Sequence, residues 1–224
     1  MQKSVIEKNL KEVYENIHKL SWEGSAKLVA VTKMQDVETT NILAELGQFD
    51  IGENRVQVLR EKMPNLDKNF KIHFIGRLQT NKIRYIIRDV FLYHSLDRLN
   101  LIEALNDQAI KDGLEINGLL QVNIAREPQK AGFSLEELQE VLPKLKDYRA
   151  IHVNGLMAMM PFIDDELELA KLFKAMRKLY DQIKLDSPQS VNMNILSMGM
   201  SGDYKIALSE GSNMIRIGTA LFRS

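Results

Sequence analysis

The sequence contains no cysteine, and it has one tryptophan and five prolines among its 224 residues. A chain without cysteine forms no disulfide, offers no thiolate nucleophile and holds no metal through sulfur. This suits a reducing compartment, so we expect a cytoplasmic protein. No apolar run approaches the roughly 20 residues that cross a bilayer. Residues 1–8 also carry charges where a signal peptide needs an apolar core. The sequence therefore predicts neither a membrane partner nor a targeting segment.

Charge of neither sign is in excess. Thirty basic residues balance thirty acidic ones, so no overall field draws the chain to nucleic acid or to an anionic membrane. No pair among the four histidines has the spacing of a metal site. We therefore predict neither a metal nor a nucleic-acid partner. The length of 224 residues suits a single domain spanning residues 1–224.

Short apolar runs alternate with amphipathic segments along the chain. Strands are predicted near residues 28–33, 49–52, 72–76, 90–95, 118–123, 151–156, 194–197 and 214–218. Helices are predicted over residues 2–20, 36–46, 81–87, 99–112, 134–145, 164–183 and 204–210, and a further helix is predicted to begin near residue 56. Residues 185–190 are expected to form a surface loop.

This alternation indicates βαβ units and a parallel sheet. Eight such units close as a (β/α)8 barrel, the TIM barrel of the α/β class, here with an additional N-terminal helix. The alternative is an open doubly wound sheet, but no GxGxxG follows the first predicted strand.

Lys33 closes the first apolar run. Side chains alternate along a strand, so Val29, Val31 and Lys33 share one face. An amine desolvated in a protein pocket loses its proton readily and forms a Schiff base with an aldehyde. The alternative is a lysine that reaches solvent from a strand end, and this strand alone favours that alternative.

The loops after the last two strands are rich in glycine and hydroxyl groups. Barrels of this type often hold a phosphate between these two loops. Residues 197–203 supply glycine flexibility and hydroxyl donors. Gly218 and Thr219 supply backbone N–H groups and a further hydroxyl. The spacing therefore predicts a phosphate site at this edge of the barrel.

Arg216 shares one face of the last strand with Gly218, because the side-chain period is two. If the neighbouring isoleucines meet the helices, Arg216 points into the barrel. A buried guanidinium needs an anion or a hydrogen-bond acceptor. A bound ligand and a structural ion pair with Asp203 or Glu53 explain this arginine equally well.

Lys33, Arg216 and the phosphate loops together describe a site for a phosphorylated aldehyde, and pyridoxal 5'-phosphate (PLP) fits it. The aldehyde would meet Lys33, and the ring nitrogen would accept from Arg216. Enzymes that need a strong electron sink often place a carboxylate at this nitrogen to keep it protonated. An arginine does the opposite, so we expect weak carbanion stabilisation.

The segments at the predicted strand ends resemble the pyridoxal phosphate homeostasis protein family, also called YggS-like or PROSC-like. The resemblance rests on residues 30–33, 51–57, 73–82, 94–98, 121–123, 130–133, 155–157, 196–203 and 216–222. Each segment alone is weak evidence, but nine in order are specific.

The resemblance implies a fold-type III PLP-binding barrel like the N-terminal domain of alanine racemase. It implies Lys33 as the internal aldimine and Arg216 facing the ring nitrogen. The phosphate would be held by Ser201, Gly218 and Thr219, with Asn54 near the cofactor. No catalytic residue is implied. Members of the family usually have several more residues after the position of Phe222, whereas this sequence has two.

The family is thought to buffer or deliver the vitamin B6 cofactor, without an established catalytic turnover. The resemblance therefore implies a PLP homeostasis protein rather than an enzyme, with apo-PLP enzymes as partners. We expect a monomer, since nothing at the predicted site demands a partner subunit.

Two enzymatic alternatives share parts of this site. An amino-acid racemase needs a proton donor on each face of its substrate. Racemases of this barrel type take the second donor, a tyrosine, from a further β-domain, and this chain ends with the barrel. A Schiff-base aldolase shares the lysine and the phosphate loops but needs an acid–base partner that the sequence does not identify.

The histidines and methionines have simpler interpretations. We expect His18 at the surface of the first helix. Histidines on predicted strands are more often hydrogen-bonded core residues, here His73, His94 and His152. Packing is the expected role of three methionines near strand six: Met157, Met159 and Met160.

Overall fold

In the computed structural model, which describes residues 2–127, 129–186 and 191–223, eight parallel strands close into a barrel. Each strand pairs with the next along the chain, and the last pairs with the first. The strands are β1 Lys27–Val31, β2 Asp50–Glu53, β3 Lys71–Phe74, β4 Val90–Leu96, β5 Ile116–Gln121, β6 Ile151–Met157, β7 Val191–Ser197 and β8 Met214–Ile217. The predicted barrel is therefore confirmed, with strand ends displaced by up to three residues.

Helices lie between the strands on the outside of the barrel. They are α1 Gln2–Leu20, α2 Val37–Glu45, α3 Val56–Lys62, α4 Leu99–Asp112, α5 Leu135–Val141, α6 Glu166–Asp186, α7 Tyr204–Ser209 and α8 Thr219–Phe222. Short 3-10 helices cover Met63–Asn65, Thr80–Tyr85 and Leu142–Asp147. Within the described ranges, no helix combines the length and the apolar character needed to span a bilayer.

The structure differs from the predicted helices in three places. The short helix expected over 81–87 is the 3-10 helix Thr80–Tyr85, which buries one side chain and ends two residues earlier than expected. Helix α8 was not predicted, because four residues show no helical periodicity. Helix α6 continues to Asp186, so 185 and 186 are not loop, while 187–190 lie outside the described residues.

Predicted helix ends are confirmed by their hydrogen bonds. Asp36 caps α2 by accepting from the Thr39 N–H at 2.8 Å. After α2, Gly47 adopts a φ of 79°, which favours glycine. At α5, the Ser134 hydroxyl accepts from the Glu137 N–H at 3.1 Å, and the Glu137 carboxylate accepts from the Ser134 N–H at 2.8 Å.

The strands separate two apolar layers. Inside the barrel, Val29, Leu92, Leu119, Met157 and Met214 pack together, and the larger core lies between strands and helices. Along β8 the alternation is clear, because Ile215 and Ile217 belong to the outer core and Arg216 between them points inward, as predicted. Helix α1 covers the outside of the barrel against α2, α7 and α8.

Gly155 in β6 generates a stability prediction. Its φ is 149°, and an added Cβ would lie 1.8 Å from the carbonyl oxygen of Ile195 on β7. Gly155→Ala must therefore strain the backbone and separate two paired strands. We expect urea denaturation to show a loss of about 2–3 kcal/mol in unfolding free energy.

The matched control is Gly202→Ala. Gly202 has no left-handed φ, and no heavy atom would lie within 4 Å of a Cβ added there. The stability of this variant should differ little from that of the unsubstituted protein. Equal losses for the two variants would contradict the steric argument.

Candidate functional site

A cavity of about 650 Å³ opens at the carboxyl ends of the strands. Its volume is in the usual range for small-molecule sites. All six residues with predicted cofactor roles line it: Lys33, Asn54, Ser201, Arg216, Gly218 and Thr219. Parallel strands bring these distant segments to one rim, because all their carboxyl ends point the same way. Their individual roles stay predictions.

Lys33 lies two residues beyond the end of β1, since the strand ends at Val31. Its side chain is exposed and lines the cavity. The structure therefore shows the alternative that the strand alone favoured, a lysine that reaches solvent just after a strand end. The backbone just before it is fixed, because the buried Thr32 carbonyl accepts from the Lys62 ammonium at 2.8 Å. The Lys33 side chain is thus exposed on a main chain that is held by a buried hydrogen bond.

A buried ion pair forms this anchor. Lys62 on α3 lies 2.8 Å from the Glu53 carboxylate at the end of β2, and the Thr32 hydroxyl donates to the same oxygen at 2.7 Å. Glu53 is fully buried, and its other carboxylate oxygen has no hydrogen-bond partner among the described residues. The network ties β1, β2 and α3 together directly beneath Lys33.

Asn54 reaches the cavity because Gly76 lets two backbones approach. A Cβ at Gly76 would lie 2.1 Å from the Asn54 carbonyl oxygen. The Gly76 carbonyl also accepts a hydrogen bond from the hydroxyl of Ser95 on β4. Three consecutive strand ends are therefore held in close contact, and any side chain at position 76 would displace Asn54.

Arg216 is buried and directed to the cavity from inside the barrel. It donates to the Ser197 hydroxyl at 2.6 Å and to the Ala158 carbonyl at 2.9 Å. In the part of the chain that the structure describes, Arg216 forms no ion pair with Asp203, whose charge acts on it only at longer range, or with Glu53, which pairs with Lys62. Burial lowers the pKa of Arg216 to about 10, although the charge of Asp203 acts to raise it. The guanidinium thus stays cationic at neutral pH, on neutral partners.

The predicted phosphate loops are in contact. The Ser201 hydroxyl accepts from the N–H groups of Gly218 and Ala220, at 3.2 and 3.3 Å. Asp203 shapes the same loop by accepting from the Met200 N–H at 2.5 Å. Burial raises the pKa of Asp203, against the opposing effects of this hydrogen bond and of Arg216. A Cβ at Gly218 would lie 3.3 Å from the Val31 Cβ, so a glycine keeps this rim open.

Sequence reasoning missed several lining residues. Gln121 at the end of β5 is buried and donates to the Ala131 carbonyl at 2.9 Å. Met157 and Met160 are core residues as predicted, but Met159 is half-exposed and lines the cavity. Its position two residues after the end of β6 was the signal that could have identified Met159, because the cavity is lined largely by residues that follow strand ends.

Three of the four histidine predictions are confirmed, and one is wrong. His18 is exposed, as expected. His73 and His94 are buried and hydrogen-bonded to each other at 2.8 Å. His152 was wrongly expected in the core: its side chain is 45% exposed and lies 3.2 Å from Glu115, since it faces outward on β6. No group of three or more histidine, aspartate or glutamate side chains in the described ranges could hold a metal ion.

The cavity fits a phosphorylated aldehyde. It offers an accessible amine at Lys33, a buried cation at Arg216 whose partners among the described residues are neutral, and a glycine- and hydroxyl-lined loop at Ser201 and Gly218. When bound, PLP would supply the aldehyde that captures an amine and the ring that accepts electrons. This chain's residues would hold the phosphate, the ring nitrogen and the aldehyde carbon.

Comparisons with known proteins agree on one family. The alanine racemase N-terminal domain matches residues 5–224. Pyridoxal phosphate homeostasis proteins of Aquifex aeolicus (36% identical, covering 89% of this chain and 87% of that protein) and Helicobacter pylori strain 26695 (38%, 88% and 87%) are similar over most of their length. The solved structure of PipY from Synechococcus elongatus PCC7942 with PLP bound has a TM-score of 0.88, 31% identity, and coverage of 97% of this chain and 100% of that one.

The Glu53–Lys62 pair generates a prediction for stability. Lys62→Met removes one partner and leaves a buried carboxylate without a cation, so we expect a loss of about 3–5 kcal/mol in unfolding free energy. Urea denaturation followed by circular dichroism measures it. Lys3→Met is the control, because the Lys3–Glu45 pair is exposed and should matter little. Similar effects of the two substitutions would contradict a structural role for the buried pair.

Proposed function

We propose that this chain, which belongs to the pyridoxal phosphate homeostasis protein family and has the alanine racemase N-terminal fold, binds PLP in the Lys33 cavity. The observation that carries the proposal is the convergence of Lys33, Arg216 and the Ser201–Gly218 contact on one cavity. Support comes from PipY, a relative whose structure contains PLP.

The binding step needs an amine, a proton path and no further reagent. The Lys33 amine would bond to the aldehyde carbon of PLP, with release of one water. Because Lys33 is exposed and lines the cavity, its amine would be accessible to the aldehyde. The fixed Thr32 carbonyl keeps the lysine main chain in place while the side chain reacts.

The phosphate and the ring have separate partners. Ser201, Gly218 and Thr219 would donate to the phosphate oxygens from the two loops. Arg216 would donate to the ring nitrogen while Ser197 and Ala158 hold its guanidinium. An arginine donates a hydrogen bond without transferring its proton at neutral pH, so the ring remains a weak electron sink.

A weak electron sink suits storage better than turnover. The described lining residues of the cavity include no histidine, tyrosine or carboxylate that could act as a second acid–base group. A racemase needs such a group on each face of the substrate. The curated relatives are named as homeostasis proteins, not as enzymes. We therefore favour a protein that buffers or delivers PLP over a racemase.

The proposal also covers the domain organisation, the oligomeric state, the compartment and the acceptor proteins. We propose one domain spanning residues 1–224, acting as a monomer in the cytoplasm and handing PLP to apo-PLP enzymes. The exposed rim supports transfer, because Met159 and Met200 are half-exposed beside Lys33 and leave the cavity accessible.

Borohydride reduction tests the covalent step. Protein loaded with PLP should be yellow, and reduction should fix a pyridoxyl group on Lys33, seen by peptide mass spectrometry. Lys33→Ala should lose both the colour and the modification. Lys82→Ala, an exposed lysine outside this cavity, should retain both. Modification of another lysine in the unsubstituted protein would overturn the assignment.

Transfer to an acceptor tests delivery. Loaded protein mixed with an apo-transaminase should restore transaminase activity faster than its own spontaneous release of PLP, because direct hand-over bypasses free PLP. The release rate is measured separately with a phosphatase trap that destroys free PLP. Recovery at or below the release rate would leave a storage protein and reject delivery.

A further inference from the structure

A continuous chain of hydrogen bonds crosses the interior of the barrel. Asp50 at the start of β2 lies 2.9 Å from Nε2 of His73. Nδ1 of His73 lies 2.8 Å from Nε2 of His94, whose Nδ1 lies 3.1 Å from the Ser197 hydroxyl. Arg216 donates to that hydroxyl at 2.6 Å. The chain is therefore built by β2, β3, β4, β7 and β8, and all its inner members are buried.

Its two ends lie at opposite faces of the barrel. Asp50 begins β2 and borders a surface depression that also contains Lys27 and Lys71, each at the amino end of its strand. The Asp50 side chain is 17% exposed, and Lys27 lies 3.7 Å from it. Arg216 lines the Lys33 cavity at the carboxyl ends. A carboxylate near one surface is thus linked to a guanidinium at the other.

The direction of each bond follows from donor and acceptor chemistry. An ionised Asp50 can only accept, so Nε2 of His73 must carry a proton. If His73 is neutral, its Nδ1 accepts, and Nε2 of His94 must be the donor. If His94 is neutral, its Nδ1 accepts from the Ser197 hydroxyl. The Ser197 oxygen then accepts from Arg216, so every bond donates toward Asp50.

The surroundings favour neutral imidazoles. His94 is faced by His73, Ser197 and Arg216, and burial together with the charges of His73 and Arg216 lowers its pKa well below the ordinary value. Burial also lowers the pKa of His73, although Asp50 acts to raise it, and Lys27 and Lys71 add to the lowering. Burial acts to raise the pKa of Asp50, but the hydrogen bond from His73 and the nearby cations lower it overall.

We propose that Asp50 is a remote positioning residue for Arg216. By accepting from His73, it fixes His73 and His94 as Nε2–H tautomers and turns the Ser197 proton toward His94. The Ser197 oxygen then presents its lone pairs to Arg216 and holds the guanidinium at the cavity. The effect on a bound ring nitrogen rests on the proposed function, whereas the tautomers are a property of the protein alone.

Nitrogen NMR tests the tautomers without any cofactor. In ¹⁵N-labelled protein stripped of PLP, long-range ¹H–¹⁵N spectra at pH 7.5 should show His73 and His94 each with a protonated Nε2 and a bare Nδ1. The other two histidines, His18 and His152, are exposed and serve as internal references. Either buried ring as an Nδ1–H tautomer or as a cation would overturn the proposal.

Substitution of Asp50 tests the link to Arg216. In Asp50→Asn, the amide can accept from or donate to His73, so a second tautomer should appear at both buried rings. Retention of PLP should weaken about 2- to 10-fold, the loss of roughly one hydrogen bond's contribution. Asp112→Asn is the control. Asp112 ends α4 and pairs with Arg88, and it takes no part in the hydrogen-bond chain from Asp50 to Arg216. Equal behaviour of the two variants would reject the link.

A double-mutant cycle separates positioning from general destabilisation. Ser197→Ala cuts the chain beside Arg216, so adding Asp50→Asn to it should weaken PLP binding no further. Additive losses would show independent effects and overturn the proposal. If the protein fails to bind PLP at all, the proposed function is wrong, and the NMR result still decides the tautomers.

Discussion

The pairing of β1 with β8 closes the barrel, and the candidate site depends on this closure. Lys27 to Ala30 lie opposite Met214 to Ile217 in parallel register. The loops that leave these two strands therefore start side by side, and Val31 contacts the position of Gly218. Lys33 comes from near the beginning of the sequence and Arg216 from near its end. Without this pairing the amine and the guanidinium would share no cavity.

Buried charges are tolerated because each has a specific hydrogen-bonding partner. Glu53 is compensated by Lys62, and the pair fixes the main chain before Lys33. Among the described residues, Arg216 is held by neutral acceptors, Ser197 and Ala158. A buried cation without an adjacent carboxylate retains its attraction for a ligand atom. The first arrangement stabilises the fold, and the second equips the cavity to bind.

Sequence patterns predicted the fold well because the patterns are local. Short apolar runs predicted each strand, and Asp36, Gly47 and Ser134 marked helix ends that the structure confirms. Sequence patterns failed where the tertiary environment decides whether a side chain is buried or exposed. His152 has the same local sequence character as a core histidine, yet faces solvent. For Lys33 the strand pattern left a desolvated and a solvent-exposed amine open, and the structure exposes the side chain because β1 ends two residues before it.

The sequence by itself determined the order of strands and helices, the inward direction of Arg216 and the family resemblance, because periodicity and short motifs are written along the chain. Only the tertiary structure decided that Arg216 donates to Ser197 and that Glu53 forms an ion pair with Lys62. It also decided that His73 and His94 connect Asp50 to Ser197 through hydrogen bonds. These contacts join residues on different strands or helices, from 9 positions apart for Glu53 and Lys62 to 103 for His94 and Ser197. No local pattern encodes such pairs, since their geometry exists only once the barrel is closed.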